Sequence, residues 1–134
     1  MFTQGQLEGV IYSLAYPEIE ITKDDRQSIG YRIRLRINFR AKNNLFLLKL
    51  QRTLEDKGIQ SYYKAKEKEV RPYPLLRLTN VDNLIKFFRL IDSDEPTSND
   101  RFNSFEEVLT LVSNKHHLKQ KGFERILEIK GLLT

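Results

Sequence analysis

The chain has 134 residues, of which 40% are hydrophobic and 31% charged, and it contains no cysteine. This length and composition predict a single globular domain over residues 1–134 and exclude a disordered chain. The lack of cysteine excludes disulfides and thiolate-bound zinc. Because no apolar run is long enough to cross a bilayer and no secretion signal begins the chain, we expect a soluble protein of the cell interior or of an organelle matrix, such as that of a mitochondrion or chloroplast, with no membrane partner.

The net charge is +5, and its distribution is more informative than its size. Residues 31–73 contain twelve Lys and Arg against four Asp and Glu, so the remainder of the chain is slightly acidic. A positive charge concentrated in one segment raises the encounter rate with nucleic acid and supplies sequence-independent affinity for it. The charge distribution therefore favours a polyanionic partner.

The first predicted elements are a helix and a strand. A helix is expected from about residue 4 to 15, because Thr3 and Gln6 form a weak capping box and apolar residues recur at helical spacing. Pro17 is expected to end this helix. Residues 18–21 alternate between Glu and Ile, which is typical of a strand.

The second predicted strand, residues 31–40, is the most informative segment of the chain. Alternation places its aromatic and aliphatic side chains on one face, the predicted core face. The opposite face carries Arg32, Arg34, Arg36, Asn38 and Arg40. The four arginines span about 27 Å at the rise of a strand, a length that suits a polyanion better than a small molecule. An ordinary solvated strand face is the alternative, although such faces usually mix both signs of charge.

A second helix and a second hairpin are expected next. Asn43 or Asn44 is expected to cap the helix, and Gly58 is expected to end it. The strands of the hairpin are predicted at residues 60–66 and 70–78. Two prolines in the later strand cannot donate to a ladder, so it is predicted to be an edge strand or irregular. Alternation directs the basic side chains of this hairpin to the same face as the arginines. They are Lys64, Lys66, Arg71 and Arg77.

Three helices are predicted in the last third of the chain. Asn80 is expected to cap the first helix, and an acidic loop over residues 92–100 is expected to follow it. Ser104 and Glu107 form a capping box for the second helix, and Gly131 is expected to end the last. Neither the acidic loop nor the adjacent pair at residues 116–117 has the ligand spacing of a metal site, so we expect no bound metal. The predicted fold is α+β, with helices on one face of an antiparallel sheet and the other face bare.

The order of elements and several local phrases resemble the LAGLIDADG homing endonuclease family. The phrases lie at residues 30–36, 105–109 and 122–130. The resemblance covers nearly the whole chain and implies an αββαββα fold with extra C-terminal helices. It also implies that the sheets bind the major groove of double-stranded DNA and that a chain with one motif acts as a homodimer.

The family motif itself is degenerate in this chain. Residues 7–11 align with the first half of the motif, which places Tyr12 and Leu14 at the two positions where the family has acidic residues. Hydrolysis of a phosphodiester by this route needs divalent cations held by carboxylates, and a leucine cannot bind Mg²⁺. We therefore expect no catalytic residue, no cofactor and no metal.

The motif helix is also the expected dimer interface. Its small residues at one-turn spacing would allow two copies of the helix to approach closely, although a helix packed within its own chain is the alternative. The expected interface residues are Leu7, Gly9, Val10 and Ser13.

The leading hypothesis is a DNA-binding protein of this fold that has lost endonuclease activity. The first alternative is an active, Mg²⁺-dependent homing endonuclease whose acid lies elsewhere in the chain. A second is an intron maturase that binds structured intron RNA on the same surface, and a third is a structural subunit of a ribonucleoprotein.

Overall fold

The computed structural model describes residues 1–91 and 100–133, which form five α-helices, one short 3-10 helix and four strands. In chain order these are α1 (Gln4–Leu14), β1 (Tyr16–Lys23), β2 (Tyr31–Arg40), α2 (Asn44–Asp56), β3 (Tyr62–Lys64), β4 (Leu75–Leu78), α3 (Val81–Ile91), α4 (Asp100–Ser113), the 3-10 helix (His116–Leu118) and α5 (Gln120–Leu133). The strands form an antiparallel sheet in the order β1-β2-β4-β3. The predicted α+β class and the order of elements are confirmed.

The chain divides into two compact units. Unit 1 comprises Met1–Tyr16 and Arg36–Asp92, and unit 2 comprises Pro17–Leu35 and Ser93–Thr134. Strand β2 begins in unit 2 and ends in unit 1.

The core of unit 1 lies on one face of the sheet. Ile37 and Phe39 of β2 are fully buried on that face, and the Phe39 ring meets Phe87 of α3 edge to face, with ring centroids 6.3 Å apart. Helix α1 contributes Leu7 and Ile11, neither of which is exposed to solvent. In unit 1 the helices therefore cover the face that Ile37 and Phe39 of β2 form, as alternation predicts.

The helices of unit 1 begin at capping residues, and a left-handed glycine follows the end of α2, as the sequence predicts. Thr3 and Gln6 form a complete capping box at α1, and the Asn43 side chain accepts hydrogen bonds from the backbone at the start of α2. Gly58 follows α2 with φ of 79°, a conformation that favours glycine. The Asn80 Oδ1 atom accepts a hydrogen bond of 2.8 Å from the backbone N–H of Asp82 in α3.

The structure differs in part from the predicted strands. Helix α1 ends at Leu14, before Pro17 as predicted, but β1 begins at Tyr16 rather than after Pro17, so Pro17 lies buried inside the strand. The sequence predicts an edge strand or an irregular segment over residues 70–78. Strand β4 is internal, between β2 and β3, which excludes an edge, but the part that contains the two prolines is irregular, as predicted. The strand begins only at Leu75, after both prolines, so its backbone N–H groups are available on both sides.

Two predicted helix boundaries in the last third of the chain are also wrong. Helix α4 begins at Asp100, so Ser104 lies within the helix rather than at its cap. The additional turn is stabilised by Phe102, which is buried one turn before the buried Phe105. Helix α5 runs through Gly131 to Leu133. The predicted acidic loop falls on residues 92–99, outside the described residues.

Unit 2 packs α4 and α5 around the beginning of β2. The ring of Tyr31 stacks on Phe123 of α5 with centroids 5.2 Å apart, and the Lys130 Nζ group donates a hydrogen bond of 2.5 Å to the Ile19 carbonyl. Gly122 lies against the 3-10 helix, where an added Cβ would stand 2.0 Å from the His116 carbonyl oxygen. Within the described ranges, no helix is both long and apolar enough to cross a bilayer.

Candidate nucleic-acid interface

Two rows of side chains cross the sheet of unit 1 on the face opposite its core. Because paired residues of neighbouring strands share a face, the strand register defines each row. The rows are Asn38, Arg77, Tyr62 and Arg40, Leu75, Lys64. Half-buried Arg36 follows the same alternation on β2. The register thus brings Arg40, Lys64 and Arg77 to one face of the sheet in unit 1, where Asn38 and Leu75 are themselves buried.

Asn38 is buried beneath Arg77. The Asn38 side chain has no solvent exposure, and its Oδ1 atom accepts a hydrogen bond of 2.8 Å from the Arg77 Nε group. Arg77 itself is half-buried. The structure therefore places a basic side chain at the surface and its amide partner below it.

Arg40 is held by a carboxylate that the sequence did not single out. Its guanidinium group donates two hydrogen bonds to Glu67, from Nε to Oε1 at 2.7 Å and from Nη2 to Oε2 at 3.2 Å. A second cation, Arg71, places its Nη1 atom 3.7 Å from the Glu67 Oε2 atom. The hydrogen bonds from Arg40 lower the pKa of the Glu67 carboxyl despite its burial, which raises it. Glu67 therefore remains an anion between two arginines.

An open cavity of about 250 Å³ adjoins this ion pair. It is lined by Arg40, Ala41, Lys42, Glu67, Arg71, Tyr73 and Pro74. The Lys42 Nζ atom lies 5.9 Å from the centre of the Tyr73 ring, within the range of a cation–π contact. Sequence reasoning missed Lys42 and Glu67, since Lys42 lies outside the predicted strands and no local pattern pairs Glu67 with Arg40.

The remaining cations of unit 1 differ in their environment. Lys64 is exposed at the end of β3. Lys66 is also exposed and pairs with Glu69, with Nζ and Oε2 2.9 Å apart. This pair is solvent-exposed on both sides, so its contribution to stability is small.

Unit 2 contributes the first two arginines of β2. Arg32 and Arg34 are both exposed. The Arg34 Nη1 atom lies 3.8 Å from the Glu20 Oε1 atom on the neighbouring strand. The ion pair is long and exposed, so the charge of Arg34 remains accessible to solvent and ions.

Neither of the two residues that are predicted to replace acidic motif residues, Tyr12 and Leu14, carries a carboxylate. Tyr12 is 42% exposed and its hydroxyl donates a hydrogen bond of 3.4 Å to the Ile91 carbonyl. Leu14, the last residue of α1, is 37% exposed. No group of three His, Cys, Asp or Glu side chains suited to a metal ion occurs among the residues that the structure describes. The side chains at these positions do not fit Mg²⁺, which prefers oxygen anions.

The outer face of α1 is open. Gly9 and Ser13 are exposed, Val10 is half-buried, and an added Cβ at Gly9 would meet no atom within 4 Å. Leu7, in contrast, is fully buried in the core of unit 1. The structure thus separates the four predicted interface residues into an outer group of three and one core residue.

Comparison with known proteins yields structural matches only. No family model matches the sequence. No curated protein matches it either. The homing endonuclease I-TnaI superposes with a TM-score of 0.79 at 18% identity, over 96% of this chain and 85% of that one.

Two structures of LAGLIDADG proteins with DNA match equally well. They are the meganuclease I-CpaMI bound to uncleaved DNA (TM-score 0.79, 22% identity) and the homing endonuclease I-SmaMI bound to cleaved DNA (TM-score 0.79, 21% identity). Each match covers 97% of this chain but only 43% of the other chain. The chain therefore has the LAGLIDADG homing endonuclease fold, which confirms the structural part of the resemblance, and it spans less than half the length of these two DNA-bound proteins.

Proposed function

We propose that this chain binds double-stranded DNA through the basic face of its sheet and does not cleave it. The observation that carries the proposal is the row arrangement on the sheet of unit 1, where cationic side chains lie opposite the core. Arginine and lysine side chains on an open surface neutralise phosphates and release counterions. The fold that places them there is also that of two proteins determined with DNA bound.

The proposed contacts fall into phosphate-binding and base-reading groups. Lysines hold phosphates as point charges, whereas arginines can also recognise base edges through two parallel hydrogen bonds. The proposed contacts are Arg32, Arg34, Arg36, Arg40, Lys64, Lys66, Arg71 and Arg77, with Asn38 supporting them from below.

The absence of carboxylates at the end of α1 supports a binding role rather than an enzymatic one. Metal-assisted hydrolysis needs anionic ligands to hold the cations that activate water and neutralise the leaving oxygen. Leu14 offers only carbon atoms, and the Tyr12 hydroxyl already donates to a backbone carbonyl. With these side chains, the motif positions cannot supply the ligands that such chemistry requires.

We propose further that two copies of the chain associate through α1. The open face around Gly9 and Ser13 would let two helix backbones approach closely. The chain also matches just under half of each DNA-bound protein, so a second copy is the simplest source of a second sheet. A homodimer would double the basic surface presented to one duplex.

Salt-dependent binding to a duplex tests the proposal. If about six cations neutralise phosphates, the logarithm of the association constant should fall with the logarithm of salt concentration at a slope of about −5. A slope near zero would remove the electrostatic basis of the proposal. Structured RNA titrated at the same salt tests the maturase alternative, because deep, narrow A-form grooves exclude a sheet that fits the major groove of B-DNA. A defined double-strand cut in Mg²⁺ or Mn²⁺ would overturn the loss of activity.

A further inference from the structure

The hydrogen bond between Arg77 and Asn38 restricts how Arg77 can meet a ligand. The bond engages Nε, the atom nearest the aliphatic stem, and does not use the two Nη groups at the end of the side chain. Because a guanidinium group is planar and rigid, fixing Nε also fixes the plane in which the Nη groups lie. Asn38 thus limits Arg77 to a narrow range of orientations.

We propose that Arg77 recognises guanine in the major groove and that Asn38 is the positioning residue that orients it. This inference rests on the proposed DNA binding and goes beyond it by assigning a base preference to one side chain. Guanine presents the O6 and N7 atoms as paired acceptors, and the two outer donors of an arginine match that pair. Asn38 cannot contact DNA itself, because its side chain has no solvent exposure.

The surroundings of Arg77 distinguish it from the other cations on the sheet. It lies on the internal strand β4, and its row neighbours, Asn38 and Tyr62, are uncharged. The next row has a cation at each end, Arg40 on β2 and Lys64 on the edge strand β3, with Leu75 of β4 between them. An arginine that is preoriented by a buried amide at the middle of its row suits a base edge, whereas cations at the ends of a row suit the phosphate backbones.

Selection of bound duplexes from a library with random sequence tests the assignment. The wild-type chain should select guanine at one position of each half-site by about tenfold or more, the discrimination typical of a bidentate contact. Arg77→Lys keeps the charge but has no planar pair of donors, so it should lose this preference while the salt slope stays unchanged. Asn38→Ala should have the same effect, because Arg77 keeps its charge but loses its fixed orientation.

Two further variants separate positioning from structural support. Asn38→Asp retains an oxygen acceptor for Nε and should keep the guanine preference, which a change in packing alone would not explain. Lys64→Ala is the matched control for phosphate contact. It should make the salt slope about 0.9 less steep and leave the base preference intact.

Each outcome either supports or overturns the assignment. A guanine preference that survives in Arg77→Lys, or in folded Asn38→Ala, would overturn it. If Asn38→Ala does not fold, Arg77→Lys and Asn38→Asp decide the question. Wild-type binding without any base preference would overturn this inference and leave DNA binding intact, whereas failure of the wild-type chain to bind duplex DNA would overturn the proposed function itself.

Discussion

Arg40 and Glu67 are separated by 27 positions in the chain and meet through two hydrogen bonds, of 2.7 and 3.2 Å. The pair joins the end of β2 to the loop between β3 and β4. The Glu67 side chain is only 11% exposed, so its charge is partly desolvated and depends on Arg40 for compensation. The same carboxylate also restrains a cation that is proposed to contact DNA.

The first prediction concerns acid stability. The hydrogen bonds from Arg40 lower the pKa of Glu67 from its ordinary value of 4.5. Because the pKa of the folded state is the lower one, the contribution to the free energy of unfolding is present above the unfolded-state pKa. It is lost as the pH falls below 4.5 through the folded-state pKa. Glu67→Gln should therefore lower stability at neutral pH, and its difference from wild type should shrink in acid.

Urea unfolding at neutral pH and at about pH 3 measures this difference. Glu69→Gln is the matched control, because Glu69 pairs with Lys66 while its side chain is 89% exposed. Its effect should be small at both pH values. An equal loss of stability for Glu67→Gln at both pH values would contradict the pH dependence inferred from the Arg40 contact.

The second prediction concerns DNA affinity. Glu67 lies between Arg40 and Arg71 and competes with phosphates for both guanidinium groups. Removing its charge in Glu67→Gln should strengthen duplex binding at low salt and make the salt slope steeper by about one phosphate equivalent. Glu69→Gln makes the same change in net charge at an exposed site, so it should have a smaller effect. Weaker binding by Glu67→Gln would mean that the carboxylate orients the arginines rather than competing for them.

Much of the fold is predictable because it depends on local patterns. The alternation of β2 predicts which residues, such as Phe39, face the core, and the side chains of Thr3 and Asn43 cap helices as their positions predict. The predicted start of α4 is wrong, because burial of Phe102 extends the helix toward its N-terminus, beyond the cap at Ser104 that the local sequence favours. Tertiary packing therefore overrode a local signal there.

The candidate site was less predictable than the fold for a related reason. Alternation gives the face of Asn38 but not its depth, and only the register of β2 with β4 shows that Arg77 covers it. The pairing of Arg40 with Glu67 likewise depends on how a loop folds back on the strand. Such contacts between distant residues follow from tertiary structure, which neither composition nor periodicity encodes.

The third prediction tests association through α1. Gly9→Leu should leave the monomer fold intact, because an added Cβ at Gly9 meets no atom of the chain within 4 Å. A larger side chain would nevertheless separate two helices that approach at this point, so the dimer should dissociate. Sedimentation equilibrium measures the change. Gly131→Leu makes the same substitution at another open helical glycine and should leave the mass unchanged. A dimer that persists in Gly9→Leu would exclude this face of α1 as the interface.

The fourth prediction concerns the packing of α5 against the 3-10 helix. Gly122→Ala should destabilise the chain by about 1–3 kcal/mol, because the added Cβ would lie 2.0 Å from the His116 carbonyl oxygen and the backbone must shift. Helix propensity acts in the opposite direction, since alanine is favoured over glycine by about 1 kcal/mol. Gly131→Ala measures the effect of helix propensity alone, because its added Cβ meets no atom within 4 Å. This substitution should raise stability slightly. Thermal unfolding of both variants measures the contrast, and equal stabilisation by the two substitutions would show that α5 does not pack closely at Gly122.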